Sequence, residues 1–127
     1  MHYHRKQSEA ALRFADRRKR EDEAPRLVTE VPRLKTLQLE IEERSGGSTV
    51  AEPKHMRRIV VEHAPALFYI PCGDARCKDG GHDVTHLILR SLRAGETEFE
   101  GEDICNGSQG SGQCSRVLHY VATASYG

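Results

Sequence analysis

Cys72-Gly-Asp-Ala-Arg-Cys77 and Cys105-Asn-Gly-Ser-Gln-Gly-Ser-Gly-Gln-Cys114 hold all four cysteines of the chain in two pairs. Four thiolates are a sufficient ligand set for tetrahedral zinc, and paired cysteines on short turns commonly supply structural sites. The rest of the chain is therefore expected to fold so that two Cys-bearing loops meet, with Cys72, Cys77, Cys105 and Cys114 as ligands of a structural zinc ion. Buried thiols packing as small hydrophobes, or a disulfide, are the competing readings. A Cys-x-x-Cys motif is absent, so thiol exchange has no support. His82, five residues after Cys77 in a Gly-rich loop, is an alternative fourth ligand.

Working outward, Gly80-Gly81 lets the chain fold back, and Asp83 is placed to cap a helix over residues 83–94 carrying Val84, Leu87, Ile88 and Leu92 on one stripe. Gly95 is the expected stop. Thr97 to Glu102 reads as a short strand around Phe99. Beyond the second pair, Leu118, Tyr120, Ala122, Ala124 and Tyr126 alternate along another strand. Upstream of the first pair, Leu37, Leu39 and Ile41 alternate with polar residues, which gives the clearest strand of the chain. Ser45-Gly46-Gly47-Ser48 turns it, and Met56 to His63 forms the return strand, interrupted at Ala64-Pro65. Leu67 to Cys72 is extended, with Pro71 ending its pairing. The predicted fold class is α+β: an antiparallel sheet of about four strands, one packed helix, two Cys-bearing loops at one sheet edge, and a charged N-terminal helix.

The two pairs resemble those of zinc-ribbon and treble-clef proteins only in being two Cys-bearing turns about 27 residues apart. A treble clef takes its second ligand pair from a helix start, whereas the helix here precedes that pair, so the resemblance names no family.

The remaining 33 residues are different in kind. Residues 5–23 are rich in Glu, Arg, Lys and Ala and predict a helix whose apolar stripe, Ala11, Phe14 and Ala15, is thin. Arg17-Arg18-Lys19-Arg20 is the candidate partner-binding run, for nucleic acid or an acidic protein face. Pro25 and Pro32 punctuate a linker, which divides the chain into an arm over 1–33 and a four-cysteine α+β domain over 34–127.

Composition agrees with one domain plus an arm. Of 127 residues 37% are apolar and 30% charged, and the net charge is zero. That zero is divided: residues 1–35 carry 10 Lys/Arg against 6 Asp/Glu, and the rest 9 against 13. No stretch has the length of a membrane span and the start has no apolar secretory region, so a cytoplasmic protein is expected, where thiols favour metal over disulfides.

His82-Asp83-Val84-Thr85-His86 has metalloprotease-like H-x-x-x-H spacing with Asp where the base Glu belongs. Asp83 fits a helix cap better, with the two histidines as ordinary surface residues. Phosphate-loop, nucleophile-elbow, dinucleotide and deaminase motifs are absent. The sequence therefore predicts a non-enzymatic zinc-stabilised binding module without a small-molecule substrate. The alternatives are a small zinc hydrolase using His82, Asp83 and His86, or a structural subunit of a larger assembly.

Overall fold

The segments with a period of two become one antiparallel sheet. A computed structural model describes residues 9–45, 54–74, 76–77, 80–110 and 112–127. In chain order its elements are α1 (Glu9–Glu23), α2 (Leu27–Glu30), β1 (Leu34–Ser45), β2 (Lys54–Ile59), β3 (Tyr69–Pro71), β4 (Gly81–Asp83), α3 (Thr85–Arg93), β5 (Glu98–Ile104), β6 (Ser108–Gln109), β7 (Gly112–Gln113) and β8 (Arg116–Tyr126). The main sheet runs β2-β1-β8-β5, and all its pairings are antiparallel. The α+β expectation holds. Residues 5–8, the Gly46-Gly47-Ser48 turn, and the Ala11 and Phe14 side chains of the expected stripe lie outside the described residues.

Alternation decides which face is buried. Leu37, Leu39 and Ile41 stand opposite Ala124, Ala122 and Tyr120, and all six are buried. Phe99 packs edge-on against Tyr120 at 6.4 Å between ring centroids. Val84, Ile88, Leu89 and Leu92 bring α3 into the same core, each fully buried chain contributing about 1.5–3 kcal/mol. Gly95, at φ +74°, closes α3: its N–H bonds the Leu92 carbonyl while the Glu96 N–H bonds Ser91, a Schellman stop.

Several expectations need correction. The return strand ends at Ile59, because the chain turns over residues 61–63 rather than continuing to His63. Pro71 is the last paired residue of its strand, as expected, but it pairs with Gly81 in a separate two-stranded sheet whose second strand, β4, occupies what reads as a flexible Gly loop. Asp83 belongs to β4, and Val84 takes the cap position of α3. The Asp83 carboxylate still accepts the Thr85 N–H at 3.0 Å, so it steadies the helix start from one residue further out.

The segment read as linker is also more ordered than Pro25 and Pro32 suggest. Leu27 is 0% exposed and Val31 is 5%, both within the main core. Backbone bonds from the Leu27 N–H to Ala64 and from the Ala66 N–H to Pro25 lace this segment to the turn after β2. Among the described residues, core side chains therefore begin at residue 27, upstream of the division at 33.

Candidate metal centre

The cysteines reach one place because strand ends deliver them there. Cys72 follows β3, Cys105 follows β5, Cys114 precedes β8, and Cys77 lies in the turn between β3 and β4. The Cys105 N–H bonds the Arg116 carbonyl, prolonging the β5–β8 ladder to the cluster. The Cys77 N–H closes a turn onto Asp74, and the Cys114 N–H bonds Gly107.

All four Sγ atoms lie within 4.8 Å of one another, and all four residues are buried. Cys77 and Cys105 are 3.6 Å apart, Cys72 and Cys114 3.8 Å. A disulfide needs about 2.05 Å. A tetrahedron with Zn–S bonds of about 2.3 Å has edges of about 3.8 Å, so the spacing fits a metal and not a covalent bond. Gly80 supplies a second fit. A Cβ there would overlap Cys77 Sγ and stand 2.5 Å from Cys105 Sγ, so the backbone passes against the sulfurs where only glycine allows it.

Donors converge on the sulfurs. The Asp74 N–H points at Cys72 Sγ at 3.5 Å, the Gly107 N–H at Cys105 Sγ at 3.4 Å, and Gln109 Nε2 at Cys114 Sγ at 3.3 Å. Gln109 also binds the Asp74 carboxylate at 2.8 Å, joining the two Cys-bearing loops. Burial pushes the Cys77 thiol up to about 11, with hydrogen bonds to Cys105 and Cys114 adding to it. Burial raises Cys72 more strongly, against the opposing Asp74 N–H. At Cys114 burial acts upward too, but the Arg116 N–H and the neighbouring thiols outweigh it and the pKa falls. A bound cation would hold the cysteines as thiolates and so release thiol protons on binding.

His82 is not among these ligands and is not a surface residue. It is 0% exposed in β4, its Nδ1 3.1 Å from Asp103 and its Nε2 3.3 Å from Glu43. Among the described residues Nε2 has no partner of full hydrogen-bond geometry, so its contact with the Glu43 carboxylate is chiefly electrostatic. Burial opposes the charge on His82, but both carboxylates outweigh it and raise its pKa. Glu43 in turn accepts the Gly73 N–H at 2.9 Å and Arg116 Nε at 2.7 Å. Burial works against its ionisation too, and the interactions with His82, Arg116 and Gly73 prevail to lower its pKa. These contacts fasten the residue after Cys72, the strand after Cys114 and the strand before Cys105 to one buried point.

The sequence reading passed over Glu43, Asp103, Arg116 and Gly80. A signal for three of them exists: strand alternation puts Glu43 in line with Leu39 and Ile41, Asp103 with Phe99, and Arg116 with Leu118, all on the inner face. His86 is exposed on α3, and among the described residues the four cysteines form the metal-capable cluster, so His82, Asp83 and His86 do not assemble as hydrolase ligands.

The basic run lies on α1. Arg17 pairs with Glu21 and Arg20 with Asp16, each at 3.0 Å. Arg20 also sits 4.6 Å above the Tyr69 ring, holding α1 against β3, while Arg18 and Lys19 are exposed. No described helix is long and apolar enough to cross a membrane. No protein-family model, curated protein or solved structure matches the chain.

Proposed function

We propose that this chain is a non-enzymatic binding module in which one zinc ion, held by Cys72, Cys77, Cys105 and Cys114, fixes two loops at the end of the sheet, and that its partner is nucleic acid met by the basic α1 side. The observation carrying this reading is the set of four buried sulfurs all within 4.8 Å of one another. Four thiolates fill the coordination sphere and leave no position for a substrate water, which argues for structural rather than catalytic zinc. Exposed Arg18 and Lys19 on α1, with Arg57 and Arg58 on neighbouring β2, support an anionic partner.

Metal analysis of untagged protein should find one zinc per chain, and cobalt substitution should give intense thiolate charge-transfer bands. Native protein whose four thiols alkylate freely and which carries no metal would end the zinc reading.

A further inference from the structure

The inner face of β2 carries Arg57 opposite Leu39, a position where alternation calls for an apolar residue. Its side chain enters a crevice of about 290 Å³ between α1 and β2, where Arg17, Arg58 and His63 also line the wall. Glu21 is the one carboxylate among the described lining residues, and its Oε1 already accepts Arg17 Nε at 3.0 Å. One acid thus serves at least two guanidiniums in a partly desolvated space. Burial holds Arg57 below its ordinary pKa, and the like charge of Arg17 adds to that against Glu21. Apolar residues complete the wall, among them Pro65, Phe68 and Val60, which is 59% exposed.

We infer that this crevice takes one phosphodiester of a single-stranded nucleic acid, with Arg17 and Arg57 gripping the phosphate and the adjoining base lying on Val60 and Pro65. The excess of guanidinium over carboxylate calls for an anion, and the planar fork of arginine matches phosphate oxygens two at a time. The apolar wall distinguishes the ligand. An unpaired base has a face to lay there, whereas a duplex keeps its bases stacked inside. This inference rests on the nucleic-acid reading above and names where that partner is held.

The test uses the full, zinc-loaded chain with a labelled oligothymidylate, the same sequence as a duplex, inorganic phosphate and an oligoglutamate peptide. Single strand should bind in preference to duplex. Arg57→Gln should weaken it about tenfold and lower the slope of log K against log salt by about 0.7, the value for one lost contact on a single strand. Val60→Ser should weaken the oligonucleotide while leaving inorganic phosphate unaffected. In the unaltered protein, the oligonucleotide should shield Arg17 and Arg57 from phenylglyoxal, a readout independent of how any variant folds. If the oligonucleotide binds but Arg57→Gln changes neither affinity nor slope, and neither arginine is shielded, the crevice is wrong while the nucleic-acid reading stands. Absence of oligonucleotide binding by any form would overturn both. Equal binding of oligoglutamate, or inorganic phosphate matching the oligonucleotide, would also overturn the assignment.

Discussion

Gly80→Ala isolates the candidate metal centre from everything else that orders the chain. The new methyl would overlap Cys77 Sγ, stand 2.5 Å from Cys105 Sγ and 3.1 Å from the Gly107 Cα. The two sulfurs are 3.6 Å apart, and the tetrahedral edge of about 3.8 Å leaves them only a few tenths of an ångström to separate, too little to admit a methyl while sharing one ion. Overpacking of this kind costs about 1–3 kcal/mol, which at about 1.4 kcal/mol per tenfold weakens zinc by roughly five- to 150-fold. Competition against a chromophoric chelator measures that loss directly. Gly112→Ala is the control within the same loop, because its Cβ would meet only the Gln109 carbonyl at an ordinary 3.9 Å. Wild-type zinc affinity and melting temperature in Gly80→Ala would refute the reasoning, since the sulfurs would then not need the space this glycine leaves.

Two further outcomes follow from burial and charge. Leu27→Ala should cost about 2–5 kcal/mol in denaturant unfolding, because Leu27 is fully buried, while Val28→Ala at 39% exposure should change stability by no more than about 0.5 kcal/mol; equal small effects would return residue 27 to a linker. His82 has a folded-state pKa raised above 6.5, so its stabilisation is complete below about pH 6.5 and is lost as pH rises through the folded value. The stability difference between zinc-loaded wild type and His82→Gln should therefore shrink on going from pH 6 to pH 9, and a difference that is constant or grows would contradict the Glu43–His82–Asp103 arrangement.

The main sheet was legible because period-two alternation and burial are one statement: Leu37, Leu39 and Ile41 have nowhere else to go. The four cysteines could be grouped for a similar reason, since two pairs bracketing a helix and a strand need only one reversal to meet. β3 was legible as an extended run, but β4 and its pairing with β3 were not. Three residues each, containing Pro71 and Gly81, they have neither length nor propensity, and what orders them is the core residue Phe68, the Val84 N–H to Phe68 bond and His82 below. α2 escaped for the opposite reason: four residues cannot form a helix alone, and Leu27 is helical because tertiary packing holds it there.

The polar cluster beneath the cysteines shows why a sheet read only for its apolar residues loses its functional end. Along β1 the inner face runs Leu37, Leu39, Ile41 and then Glu43, and along β5 it runs Phe99, Gly101 and then Asp103, so both strands turn from apolar to acidic at the same end. A half-buried carboxylate is best tolerated with partners, and two facing the same point call for a cation between them. His82 and Arg116 supply it. Because Glu43 also takes the Gly73 N–H, the charge that keeps this end of the sheet satisfied is the charge that sets the chain immediately after Cys72. The four-cysteine cluster and the polar cluster are thus one construction: the strands end in acids, the acids hold His82 and Arg116, and the segments so fixed bring the four sulfurs within 4.8 Å of one another.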